Sequence, residues 1–119
     1  MNQKLPGKLK LKSKKNIDLL FKEGNSIKSF PLIIVHKKDT NLTTPFLVGF
    51  SVSKRHFKHA VDRNRIKRLL RENFRKNKVL FNSQENKSQL LMFIFIGKSM
   101  PNIKQIEKAM LSLSKKLKQ

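Results

Sequence analysis

An α+β fold is predicted for this chain of 119 residues by three observations. Apolar residues recur at helical spacing in three separated segments, near the start, in the middle and at the end. Between them lie short runs rich in β-branched and aromatic residues, one of which alternates strictly between apolar and small side chains. The segments follow one another as helix, two or three strands, helix, strand, helix, without any internal repeat, and strands gathered apart from helices point to α+β.

The elements follow in order. Residues 1–12 hold Pro6, Gly7 and the lysines 4, 8, 10 and 12, and are expected to form a flexible basic arm on a single domain spanning 1–119. Ser13 is a plausible N-cap, Ile17, Leu20 and Phe21 recur at helical spacing, and Gly24 ends that helix. The stretch SIKSFPLIIVHK, residues 26–37, reads as strand, with Pro31 marking an edge or a strand start and Asn25 to Ile27 pairing as a short strand of its own. DTNLTTP, residues 39–45, is turn chemistry.

In FLVGFSVS, residues 46–53, Phe46, Val48, Phe50 and Val52 fall on one face and Leu47, Gly49, Ser51 and Ser53 on the other. The second face is small enough for a flat or extended ligand to lie on the sheet; a solvated outer face is the simpler alternative. Residues 82–89, NSQENKSQ, form a polar loop. LLMFIFI, residues 90–96, is apolar on both faces, as in a central strand. Asn102 begins a last amphipathic helix in which Ile103, Ile106, Met110, Leu113 and Leu117 make the buried stripe, with Gln105 placed for a capping box.

Charge narrows the function. Lys and Arg number 28 against 7 Asp and Glu, a formal net charge of +21, which calls for a polyanion as partner. There is no cysteine, so disulfides, thiolate metal sites and cysteine nucleophiles are excluded, and a reducing cytoplasm suits the chain. The longest apolar run is far too short to span a bilayer, and the basic start lacks the apolar segment of a secretory signal. A cytoplasmic protein with no membrane partner is expected.

The central segment VDRNRIKRLLRENFR, residues 61–75, carries Arg63, Arg65, Lys67, Arg68, Arg71 and Arg75 among apolar residues at helical intervals. On an ideal helix at about 100° per residue, Ile66, Leu69, Leu70, Asn73, Phe74 and Asn77 fall within roughly 80° of one direction. Asn64, Lys67, Arg68, Arg71, Arg75 and Lys78 lie opposite, in an arc centred near ~150°, with Arg65 just outside it. A merely solvated helix usually mixes signs so that neighbouring charges offset each other. Here Glu72 stands almost alone, and Asp62 sits at the helix start where the dipole favours it. The oily side therefore docks the helix and the basic side meets phosphates, which guanidinium groups engage bidentately.

Upstream, Lys54, Arg55 and Lys58 add a second basic contact where the strand ends. RNA is preferred over DNA as the partner, because no second motif for a helix-turn-helix or for paired half-sites is present. A helix cannot read the deep, narrow major groove of A-form RNA, so contact would rest on shape and backbone.

Catalytic chemistry is not visible. The acids Asp18, Glu23, Asp39, Asp62, Glu72, Glu85 and Glu107 are scattered with no close pair suited to two-metal hydrolysis. His56 and His59 lack a third ligand and an orienting carboxylate, so they are read as surface or RNA-facing, and His36 as a strand residue.

The run GFSVSKRHFKHAVDRNRIKRLLRENFR, residues 49–75, closely resembles the signature of the bacterial ribonuclease P protein subunit, in which a glycine-containing strand and a KR pair precede a helix carrying RNRIKR. The basic arm, LLFKEG at the end of the first helix, the apolar strand near residue 93 and the final helix agree, so the resemblance covers nearly the whole chain. It implies an αβββαβα two-layer sandwich, a four-stranded sheet with a left-handed βαβ crossover through the arginine-rich helix, a hand against the usual rule. It also implies the function: binding a catalytic RNA and helping it remove the 5′ leader from precursor tRNA. Mg²⁺ bound mainly by the RNA subunit, rather than protein side chains, would perform the hydrolysis.

Carried over by motif, Lys54, Arg55, Arg63, Asn64, Arg65, Lys67, Arg68, Arg71 and Arg75 would hold the RNA subunit, with Arg63, Asn64 and Lys67 also near the leader. The leader cleft, between the first helix and the sheet, would comprise Ile17, Phe21, Ile33, Val35, Gly49, Ser51 and Ser53. The chain departs from the family in having no Tyr or Trp. Ile17 and Val35 stand where the family has cleft aromatics, leaving Phe21 as the stacking platform and implying weaker, less base-selective leader contact. The alternatives are a general structured-RNA-binding or ribosomal protein, and a protein nuclease, which the scattered carboxylates disfavour.

Overall fold

The computed structural model describes residues 9–39, 44–81 and 88–118. Most of the arm (1–8), most of the 39–45 turn and most of the polar loop lie outside the described residues. The elements are α1 (Lys14–Glu23), β1 (Asn25–Ser29), β2 (Leu32–Lys38), β3 (Phe46–Val52), α2 (Ala60–Asn77), β4 (Gln89–Phe95) and α3 (Ile103–Leu117). This is the αβββαβα order.

Local chemistry sets the boundaries. The Ser13 hydroxyl accepts a hydrogen bond from the Asn16 backbone N–H at 3.3 Å, capping α1. Gly24 ends it with extended rather than left-handed backbone, donating its N–H to the Leu20 carbonyl at 2.7 Å. Glycine is needed there for close approach, since a Cβ would lie 2.4 Å from the Leu20 carbonyl oxygen and 3.0 Å from that of His36. Phe30 and Pro31 turn β1 into β2, and Asn102 Oδ1 accepts from the Gln105 N–H at 2.8 Å to cap α3.

The sheet order is β1-β2-β4-β3. β1 pairs antiparallel with β2 and β2 with β4, while β3 and β4 run parallel. Parallel neighbours require a crossover, and α2 supplies it. The central β4 is buried along nearly its whole length, as its two-faced apolar sequence requires.

On one sheet face α2 and α3 close the main core, with Ile66, Leu70, Phe74, Ile106, Met110 and Leu113 packed on Phe46, Val48, Leu91, Phe93 and Phe95. Phe74 anchors α2, its ring centroid 5.2 Å from Phe46, 5.3 Å from Phe81 and 5.4 Å from Phe93. The opposite face carries α1, whose Leu20 and Ile17 pack with Leu11, Val35, Leu90 and Met92.

Two expectations are corrected. Residues 9–11, assigned to the arm, are anchored: Leu9 and Leu11 are 6% and 7% exposed, Lys10 bridges Val48, and the Leu11 N–H donates to the Val48 carbonyl at 2.8 Å. The physical cause is alternation, because Leu9 reaches the main core and Leu11 the smaller one. This short segment also covers the open edge of β3. Ile103, placed in the buried stripe of α3, is instead 62% exposed, because the first turn of that helix stands off from α2 beside an open groove.

Candidate nucleic-acid interface

The predicted division of α2 is present in three dimensions. Ile66, Leu70, Asn73 and Phe74 are buried, and Leu69 and Asn77 are half-buried. Buried Asn73 is satisfied, since the Asn77 amide donates to its carbonyl at 2.9 Å and to its Oδ1 at 3.2 Å. Outward, Asn64, Arg65, Arg68 and Lys76 are exposed, and Lys67, Arg71, Arg75 and Lys78 half-exposed. Arg75 pairs with Glu72 at 3.2 Å. The hydrogen bond from Arg75, followed by the charges of Arg75, Lys76 and Arg71, holds the Glu72 carboxyl below its ordinary range. Among the described residues it is the one salt bridge of the ridge, so the positive field is only locally offset.

Arg63 differs from the rest of its motif. Its Nη1 donates to the Phe57 carbonyl at 2.7 Å and to the Lys58 carbonyl at 2.9 Å. Phe57 is itself buried against Phe95, with ring centroids 5.9 Å apart. Ser53 Oγ accepts from the Arg55 N–H at 3.1 Å, and the Ser53 carbonyl from the Phe57 N–H at 3.3 Å. The turn between β3 and α2 is thus fixed from both ends, and it presents Lys54, Arg55 and Lys58 exposed beside the start of the ridge. Arg63 is the brace of this turn, a role the motif alone did not reveal; its place near helical ~60° on the apolar side of the wheel was the available signal.

Across the sheet, the cleft residues separate. Ile17, Ile33 and Val35 belong to one apolar cluster under α1, and Val35 is buried. Phe21 lies outside that cluster and is 51% exposed, a free aromatic face. A Cβ on Gly49 would lie 2.9 Å from Met92 Cε and 3.6 Å from Leu11 Cβ, so the room expected over Gly49 is partly filled by the protein's own side chains. Half-exposed Ser51 stands next to Ile94, and Ile94 next to Ile33, in one row across β3, β4 and β2. Ile94 completes this strip and was missed because both faces of its strand are apolar. Ser53 lies beyond the strand in the braced turn.

Among the described residues, no three His, Cys, Asp or Glu side chains come together to hold a metal ion. His56 and His59 are exposed. His36 is half-buried, and burial, then the charge of Lys38, lowers its pKa from 6.5. No helix of the described residues is long and apolar enough to cross a membrane.

A family model described as Ribonuclease P matches residues 5–118. The ribonuclease P protein component of Porphyromonas gingivalis (strain ATCC 33277) is 33% identical over 98 residues, covering 79% of this chain and 72% of that protein. That of Staphylococcus carnosus is 43% identical over 67 residues, 55% and 56% of the two chains. Among solved structures, a Staphylococcus aureus RNase P protein superposes with a TM-score of 0.77 at 24% identity, covering 92% of this chain and 95% of that one. The RNase P protein of Thermotoga maritima gives 0.75 at 24% identity, covering 90% and 96%, which establishes the shared fold. A family match over nearly the whole length, on a chain with this fold and this basic helix, makes it a member of the ribonuclease P protein family, the protein component of a tRNA-processing ribonucleoprotein.

Proposed function

We propose that this chain holds the RNA subunit of ribonuclease P against the outer face of α2 and the β3–α2 turn, and takes the 5′ leader of precursor tRNA on the α1 side of the sheet. The single observation that carries this is the two-sidedness of α2: Phe74 and Ile66 are fully buried while a row of cations points outward. Lys54, Arg55, Asn64, Arg65, Lys67, Arg68, Arg71 and Arg75 are the phosphate contacts, and Arg63 positions the turn that carries the first two. Phe21 and the row Ile33, Ile94, Ser51 receive an extended strand; Ile17, Val35 and Gly49 back that surface.

In this reading Mg²⁺ bound mainly by the RNA supplies the hydrolytic chemistry. The protein binds, orients and neutralises charge, and works in the cytoplasm beside the RNA it serves.

The test is RNA-subunit affinity at several salt concentrations, for the wild type and for R65A/R68A. Removing two phosphate contacts should weaken binding and flatten the log–log salt slope by about 1.4 to 1.8; an unchanged slope removes the ridge as the docking surface. For the leader, Phe21→Ala should cut the holoenzyme's preference for leader-bearing over leaderless tRNA by about fivefold or more.

A further inference from the structure

The groove beside the first turn of α3 has a volume of about 680 Å³. Leu69, Met100 and Ile103 make its floor, and Met100 and Ile103 are 39% and 62% exposed. Its rim is of one sign. Arg65 and Lys104 line it, and Arg68 lines the adjoining pocket that shares Leu69 and Ile103; all three cations are exposed. Glu72 lies in that adjoining part and is already paired with Arg75. The N-terminus of α3 opens here as well, adding partial positive charge.

An apolar floor ringed by cations is complementary to a flat group that carries an anion, which describes a nucleotide; an apolar protein segment would match the floor and leave the rim unanswered. The groove is also continuous with the basic helix, since Arg65 belongs to both and Arg68 lines the adjoining pocket. We propose that it receives one unpaired, unstacked nucleotide of the RNA bound by α2, with the base on Leu69, Met100 and Ile103 and its phosphate among Arg65, Arg68 and Lys104. Single-stranded RNA is where unstacked bases become available to such a pocket. The site rests on the reading that α2 binds RNA.

Met100 and Ile103 are exposed enough to be exchanged without opening the core. The RNA subunit is titrated at several salt concentrations with the full-length wild type, M100S/I103S, Ile103→Phe and R65A/R68A, and each complex is probed by base-directed chemical modification. M100S/I103S should bind about fivefold or more weakly with the wild-type salt slope, and one unpaired nucleotide protected by the wild type should become reactive. Ile103→Phe, with a broader stacking surface, should bind at least as tightly and keep the protection. Wild-type affinity and protection in M100S/I103S would overturn the site and leave the groove to a protein partner. If R65A/R68A still flattens the slope in that case, the ridge stands and only the groove falls; if the wild type does not bind the RNA, both fall.

Discussion

Replacing Arg63 by Ala separates a brace from a phosphate contact. The side chain makes two hydrogen bonds, at 2.7 and 2.9 Å, to carbonyls of the turn that delivers Lys54 and Arg55. Hydrogen bonds from a charged donor contribute about 1.5–3 kcal/mol each. Both come from one nitrogen, and one is exposed, so their joint loss should cost roughly 1–3 kcal/mol. With an unfolding entropy near 0.25 kcal/mol per kelvin for a chain of this size, the melting temperature should fall by about 4–12 °C. The comparison is Arg68→Ala, exposed and without a hydrogen bond among the described residues: its melting should stay within about 2 °C, as for most surface changes, while its salt slope for RNA binding drops by about 0.7–0.9. Calorimetry and a salt-dependent binding titration on both variants decide it. An Arg63→Ala protein that melts like the wild type and loses slope as Arg68→Ala does would refute the brace.

Gly24→Ala forces two backbone carbonyls apart at the α1 terminus and should destabilise by about 1–3 kcal/mol, seen as a lowered melting temperature; unaltered melting would mean the helix end shifts freely. Phe74→Ala should cost about 3–5 kcal/mol, and the same melting experiment would find α2 loosened from the sheet. Because folding lowers the His36 pKa below 6.5, the unfolded chain binds that proton more readily. The associated stability is complete above pH 6.5 and is lost as pH falls through the folded value. Melting temperature should therefore decline between about pH 7 and 5 in the wild type and decline less in His36→Gln; parallel declines would exclude His36 as the cause.

Much of the molecule was legible because local chemistry and periodicity agreed. The Ser13 and Asn102 caps, the alternation of β3 and the stripe of α2 each follow from residues a few places apart, and each is found where predicted. What escaped depends on distant partners. Leu9 and Leu11 sit in a lysine-rich segment, and only the open edge of β3, bridged at Lys10, fixes them in place. Gly49 reads as an empty seat until Met92, from the neighbouring strand, is seen to lie over it. Ile103 keeps helical spacing with the core yet faces a groove, because spacing fixes direction around a helix and not how closely the neighbouring helix approaches. Arg63 shows the same limit in the site, a motif arginine whose nearest partners are carbonyls of its own chain.

The most direct test is 5′ cleavage of a precursor tRNA at low Mg²⁺ with a bacterial ribonuclease P RNA alone, this protein alone, and the two together. Cleavage confined to the mixture, or much faster there, is the predicted result for a protein that binds and positions while RNA performs the chemistry. Cleavage by the protein alone, or no stimulation despite tight RNA binding, would contradict it.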